Sequence, residues 1–263
     1  MAYETITLAI DEGLAVLTLN RPTAANAMNR QMAADLRAAS VLLYHDPSVR
    51  AVLLTSEGKV FCAGGDLTEF SSHDPGSLPA FVDAMTIDLH AAVNRFSRMN
   101  APLVAAVGGS AGGAGLSLVA ASDLVVAGQS AKFTMGYTRA GLVPDGTSSF
   151  FLARVVGLRR AADLVLTNRV LNATEAEGWG LVNRVVPDDE VRSQAEALAR
   201  TLAGGPTRSF GAAKRLLLEG ASSSLEQAME RESFAISDAA GAPDAHEGMA
   251  AFLGKRAPKF EGR

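Results

Sequence analysis

The sequence predicts an α/β fold in which strand–strand–helix units repeat and a run of helices completes the chain. Three observations point there. Short apolar strands come in pairs before a helix-like segment, unlike the strict strand–helix alternation of a doubly wound sheet. Two glycine turns, "FCAGGDL" and "GGSAGGAGL", each end a strand and open a helix. After about Ala153 the strands thin out, and helical spacing with Gly or Pro stops takes over.

In chain order, the first segment reads as a hairpin: "ETITLAI", a turn at Asp11-Glu12-Gly13, then "LAVLTLN". Helical spacing runs from Asn29 to Leu43, where Met32, Leu36 and Leu43 share a face. "VRAVLLTS" is a short apolar strand, and "KVFCAGGDL" is a strand that ends in a glycine turn. The polar "SSHDPGSLP" is a loop before a helix from about Ala80 to Phe96. Leu103–Val107 reads as a strand, followed by a glycine turn and a helix from about Ala114. "DLVVAG" is a further strand and "AKFTM" a short extended piece. "RRAADLVLTN", "ATEAEGWG", "VRSQAEALARTLAG", "TRSFGAAKRLLLEG" and "SLEQAMERESFAISD" are all helix-like. The cationic tail "GMAAFLGKRAPKFEGR" reads either as a solvated terminus or as an appendage that packs on neighbouring subunits.

Composition narrows the function. The 263 residues suit one large domain, or one domain with a smaller appendage. Hydrophobic residues at 48% and charged ones at 20% allow a substantial core. A net charge of −4 argues against a nucleic-acid binder. One cysteine, Cys62, excludes an internal disulfide, and four scattered histidines leave no zinc constellation, so no metal site is expected. "MAYETITLAI" lacks a basic region leading into an apolar run, so no signal peptide is visible and a cytoplasmic protein is expected. The uncharged stretch Ala101–Ser122 is long enough for a membrane span, but its glycines and serines dilute the hydrophobicity and no flanking topology signals accompany it. It is no phosphate loop either, because no Lys-Ser or Lys-Thr follows the glycines.

What the glycine turns offer is backbone. Glycine removes the side chain that would keep a ligand away. At a helix start the first N–H groups lack intrahelical acceptors and sit at the positive end of the dipole. Two such N–H groups converging on one point form an oxyanion hole.

Several stretches, in order and spacing, resemble the enoyl-CoA hydratase/isomerase (crotonase) superfamily over nearly the whole chain. They are "NRPTAANAMN", "FCAGGDL", "APLVAAVGGSAGGAGLSLVAASDLVVAGQSAKF", "GLVPDGTSSFFLARVVG", "EAEGWGLVNRVV" and "FLGKRAPKF". The resemblance implies a spiral of strand–strand–helix turns over residues 1–200 that carries an acyl-CoA site. It implies a C-terminal helical region, residues 201–263, that assembles trimers or pairs of trimers. It also implies a coenzyme A thioester as substrate, with no permanently bound cofactor. The oxyanion donors fall on the backbone N–H groups of Gly65 and Ala114, the second usually glycine in the family. The backbone of Ala24, Ala25 and Ala27 would surround the adenine end of CoA, with Ala63 and Leu67, and Asp66 would be a further CoA-binding position. Lys255, Lys259 and Phe252 would reach its phosphates or adenine, some from a neighbouring subunit, whereas the family's frequent lysine near Ala24 is Thr23 here.

The reaction is the narrower question. The family's hydratases use two glutamates, and those positions carry Ser117 and Tyr137, which read as pocket lining. Serine is a poor base without a partner, and an unperturbed tyrosine is un-ionised at neutral pH. Asp145, in "GLVPDGTSS", is held by a Pro-Asp-Gly turn and resembles the single base of Δ3,Δ2-enoyl-CoA isomerases and ring-epoxide acyl-CoA isomerases. Phe70, Phe133 or Leu142 could wall an apolar pocket around it.

A second likeness is to 4-chlorobenzoyl-CoA dehalogenases, in which the matching Asp is a nucleophile and His90 falls on a catalytic histidine; His90 is expected, with Ser117 and Tyr137, in the substrate pocket. Gly65, Asp66 and Tyr137 depart from the aromatic residues of those enzymes. A non-catalytic CoA-binding protein is a third reading, favoured by the missing glutamates and opposed by Asp145. Asp66 also reads as the cap of the helix it precedes. Trp179 and Cys62 read as packing residues.

Overall fold

The structure, a computed structural model, describes residues 3–263. β1 (Ile6–Asp11) and β2 (Leu14–Leu19) form the expected antiparallel hairpin. α1 (Arg30–His45) is capped by Asn29, whose side chain accepts the Met32 N–H at 2.9 Å. β3 (Ala51–Ser56), β4 (Val60–Cys62), α2 (Leu67–Ser71) and α3 (Leu78–Arg98) make the next strand–strand–helix unit. β5 (Leu103–Val107), β6 (Ser110–Gly112) and α4 (Ala114–Ala120) repeat it, and β7 (Leu124–Gly128) and β8 (Lys132–Thr134) begin a fourth. That fourth unit closes with α5 (Ser148–Val156) and α6 (Leu158–Thr167). β9 (Leu171–Asn172), α7 (Ala173–Gly178), β10 (Arg184–Val186) and α8 (Val191–Ala203) come next, before α9 (Thr207–Gly220), α10 (Leu225–Ala240) and α11 (Pro243–Leu253).

Two sheets result. The larger has the order β1-β2-β3-β5-β7-β10 and is parallel beyond the hairpin; the smaller is β4-β6-β8-β9, with only β9 antiparallel. The central strands are apolar throughout because both faces are covered. Val52 and Leu54 of β3, with Leu103, Ala105 and Val107 of β5, join the main core with α1 and α3. Ala51, Leu53, Val104 and Ala106 face the other way, against Val191, Ala195, Ala199 and Ala203 of α8. That four-residue spacing of one valine and three alanines lets α8 lie close to the sheet.

The "glycine turn" after β5 contains a strand. The chain on either side of β6 runs so close to β4 and its approach that a Cβ on Gly109, just before β6, would overlap the Lys59 carbonyl, and one on Gly115, in α4, would overlap that of Cys62. Only glycine permits this approach. Cys62 is fully buried, and the guanidinium groups of Arg160 and Arg169 each lie 5.1 Å from the centre of the Trp179 ring.

A partly buried ion pair ties the spiral to α9. Lys214 Nζ lies 2.5 Å from Asp123 Oδ2 and also donates to the carbonyls of Phe96 (3.2 Å) and Ala101 (3.1 Å). Asp123 accepts the Leu103 N–H at 2.7 Å. Loss of water pushes the Asp123 carboxyl up and the Lys214 ammonium down, and their mutual attraction opposes both shifts.

The C-terminal tail is pinned as well. Asp244 accepts the N–H groups of Glu261 (2.7 Å) and Gly262 (2.8 Å), and Arg50 donates to the carbonyls of Gly205 (2.7 Å) and Phe260 (3.0 Å). Glu247 is held down to about 2, first by its hydrogen bonds from Arg256 and next by the Lys259 N–H. By contrast, α10 buries no residue, and Leu225, Phe234 and Phe252 stand 71%, 70% and 84% exposed. No helix among the described residues is long and apolar enough to cross a membrane, and none of their His, Cys, Asp and Glu side chains cluster in threes to hold a metal.

Candidate active site

The chain brings both glycine turns to one cavity of about 470 Å³. Its lining includes Ala63, Gly64 and Gly65 from the end of β4, and Gly112, Gly113 and Ala114 at the start of α4. The turns pack backbone on backbone: a Cβ on Gly113 would come within 3.2 Å of the Gly64 Cα, and one on Gly64 within 3.3 Å of the Gly112 carbonyl oxygen. Gly64 (φ +109°) and Gly113 (φ +47°) both hold conformations that favour glycine.

Gly65 is fixed from one side by Met28. The Met28 N–H donates to the Gly64 carbonyl at 2.7 Å, and the Asp66 N–H donates to the Met28 carbonyl at 2.9 Å. This parallel bridge leaves the Gly65 N–H directed away from Met28. Among the described residues it has no acceptor, and neither has the N–H of Ala114, the first residue of α4. Two unpartnered amides therefore belong to residues of one largely apolar cavity.

In the same cavity lining, Asp145 lies on the loop before α5, and three donors fix its main chain. Its carbonyl accepts from Ser117 Oγ (3.0 Å), Ser148 Oγ (2.8 Å) and the Ser148 N–H (3.1 Å). Gly146 (φ +58°) makes the turn, and a Cβ there would press within 2.9 Å of the Ser117 Cβ. The carboxylate Oδ1 accepts a short hydrogen bond from the Tyr137 hydroxyl. Burial, and secondarily the Asp145 charge, push the Tyr137 phenol well above its ordinary value, so it stays a neutral donor. Oδ2 of Asp145 has no hydrogen-bond partner among the described residues.

Other expected positions divide. Leu67, Phe70 and Leu142 line the cavity, as do Tyr137 and Asp145. Ser117 is buried behind the Asp145 loop and does not line it. Phe133 is a correction: fully buried in the main core, it is no wall of this cavity. The walls missed from sequence are Val82, Met85 and Thr86 of α3 and Met135, together with a second carboxylate, Asp83, exposed on α3. Their signal was the apolar stripe of α3, which marks a buried face without saying against what.

His90, one turn beyond Thr86, does not line the cavity; its buried Nε2 has no partner among the described residues. Ala24, Ala25 and Ala27 lie behind the Ala63–Gly65 segment, where Ala25 accepts the Ala63 N–H at 3.1 Å. Asp66 caps α2 through the Glu69 N–H (3.2 Å), and its other oxygen holds Arg21 at 2.9 Å. Phe252 and Lys255 stand on the exposed end of α11 and the turn after it, away from this lining.

Known proteins agree with this architecture. The sequence profile described as enoyl-CoA hydratase/isomerase matches residues 9–263. The 1,2-epoxyphenylacetyl-CoA isomerase of Escherichia coli is 35% identical over 254 residues, covering 97% of each chain. The 4-chlorobenzoyl coenzyme A dehalogenase-2 of an Arthrobacter species is 36% identical over 244 residues, covering 93% of this chain and 88% of that one. The crystal structure of an enoyl-CoA hydratase from Mycobacterium smegmatis superposes with a TM-score of 0.91 at 34% identity, covering 98% of this chain and 99% of that one. This chain belongs to the enoyl-CoA hydratase/isomerase family.

Proposed function

We propose that the protein shifts the double bond of a 3-enoyl-CoA into conjugation with the thioester. The observation that carries this reading is one carboxylate, Asp145, in the same cavity as two unpartnered amides. The thioester oxygen would accept from the N–H groups of Gly65 and Ala114. Asp145 would take a proton from the thioester α-carbon, the C–H electron pair passing into a dienolate, and return it at the γ-carbon. Oxyanion donors favour this path because the negative charge on that oxygen grows only as the proton leaves. The apolar walls strengthen the same attraction by keeping water out.

The rest of the site fits the same reading. Ala24, Ala25, Ala27, Ala63, Asp66 and Leu67 would frame the CoA nucleotide, Asp66 by fixing the α2 start rather than by a free oxygen. The exposed apolar faces of residues 201–263 would meet in a trimer or hexamer, which is how Phe252 and Lys255 could reach a neighbouring subunit's CoA. The spiral core over residues 1–200 and a cytoplasmic location belong to this reading too.

Hydration is the second reading, favoured by Asp83, because positioning water takes a second acid–base group. The test is turnover across a panel of CoA thioesters. The expected result is conversion of 3-enoyl- to 2-enoyl-CoA faster than water addition to the 2-enoyl-CoA. Water addition without isomerisation would transfer the function to the hydratase reading. Release of halide from a 4-halobenzoyl-CoA would transfer it to the dehalogenase, and binding without turnover to a non-catalytic CoA binder.

A further inference from the structure

We infer that Tyr137 is a positioning residue that holds one oxygen of Asp145 and leaves the other as the only atom carrying the transferred proton. The inference rests on the isomerase reading and specifies how its base works. Tyr137 donates to Oδ1, while Oδ2 has no partner among the described residues. The phenol stays protonated through burial, so it is a donor in both protonation states of Asp145. Ser117 lies 3.4 Å from the Tyr137 hydroxyl and itself hydrogen-bonds the Asp145 carbonyl at 3.0 Å, so side chain and main chain of the acid are braced from one side.

A carboxylate free to rotate could accept the proton on one oxygen and expose it to water before returning it. A clamped one cannot turn. The proton taken from the α-carbon then stays on Oδ2, facing the dienolate, until the γ-carbon accepts it from the same face. The electron pair of the α C–H bond enters the dienolate, the pair from its far end forms the γ C–H bond, and Asp145 ends as it began. Tyr137 exchanges no proton in this sequence; its contribution is orientation, as a locked neighbour supports a reacting group.

Tyr137→Phe is the test, with a 3-enoyl-CoA deuterated at its α-carbon. The expected result is a kcat lowered about 10- to 100-fold with KM within about twofold, the pattern of an interaction used in the reaction rather than in binding. Deuterium found at the γ-carbon of the product should fall, and deuterium lost to solvent should rise. Unchanged kcat and label transfer, or a raised KM alone, would reduce Tyr137 to a wall of the cavity and overturn the inference.

A second measurement reads the clamp without turnover: crystal structures of the unliganded wild type and of Tyr137→Phe. The wild type should show Oδ1 of Asp145 on the Tyr137 hydroxyl, and the variant should show the carboxylate rotated or in more than one orientation. A carboxylate held in the same single orientation in both would overturn the clamp, even if the isomerase reading holds. Failure of the wild type to isomerise any 3-enoyl-CoA would overturn the isomerase reading instead, leaving the pair of structures to decide the clamp.

Discussion

Asp145→Asn is expected to lower the conversion of 3-enoyl-CoA to 2-enoyl-CoA by about 10²–10⁴-fold, the usual contribution of a positioned general base. Asparagine has nearly the same shape and an oxygen that can still accept from Tyr137, but it cannot take a proton. The main-chain bonds from Ser117 and Ser148 do not involve the altered atoms and should hold the loop as before. CoA-thioester affinity should therefore stay within about twofold, since the amides of Gly65 and Ala114 and the apolar walls are untouched. Steady-state kinetics with a parallel binding titration checks both halves. Turnover at the wild-type rate would remove Asp145 from the mechanism. A covalent mass adduct on Asp145 from an aryl-CoA would make it a nucleophile instead.

The largest effect on stability is expected at Lys214→Met, which should cost about 2 kcal/mol in urea denaturation, the usual scale for losing charge-assisted hydrogen bonds. The long apolar replacement fills much of the same space, but it leaves the partly exposed Asp123 carboxylate without its cation. It also deprives the carbonyls of Phe96 and Ala101 of their donor. Those carbonyls lie at the end of α3 and just before β5, and Asp123 lies just before β7, so the loss loosens the junction of the spiral with α9. Arg208→Ala is the control. Its partner Asp238 is 66% exposed, and such pairs contribute only about 0–1 kcal/mol. Equal effects of the two substitutions would refute this account of the junction.

Much of the fold was legible because local rules and tertiary packing agree. The hairpin turn at Asp11–Gly13, the helical spacing from Asn29 to Leu43 and the apolar runs of β3, β5 and β7 each carry their own signal. Where the sequence misled, the deciding contact was distant. Gly108 to Gly113 reads as one turn, yet it holds β6, because the glycines that suggest a loop also let a strand press against β4. Phe133 reads as a cavity wall, but along β8 successive side chains take opposite faces; Phe133 enters the core while Thr134 lines the cavity.

The same divide runs through the site. Asp145 stands out locally, in a Pro-Asp-Gly turn, and the two glycine turns announce themselves as pairs of Gly residues. The bond from Tyr137 to Asp145 does not, since the two stand eight positions apart across a short 3-10 turn and a loop, and no periodicity places one beside the other. The α3 wall was equally hidden: an amphipathic helix declares a buried face, and only the folded chain shows that part of that face borders a cavity.

The most direct measurement is a crystal structure with a bound, unreactive acyl-CoA thioester. The account predicts the thioester oxygen within about 3.1 Å of both the Gly65 and Ala114 nitrogens. It also predicts the α-carbon beside Oδ2 of Asp145, with Tyr137 still on Oδ1. A thioester oxygen seated away from either amide, or Asp145 turned out of the cavity with ligand bound, would contradict it.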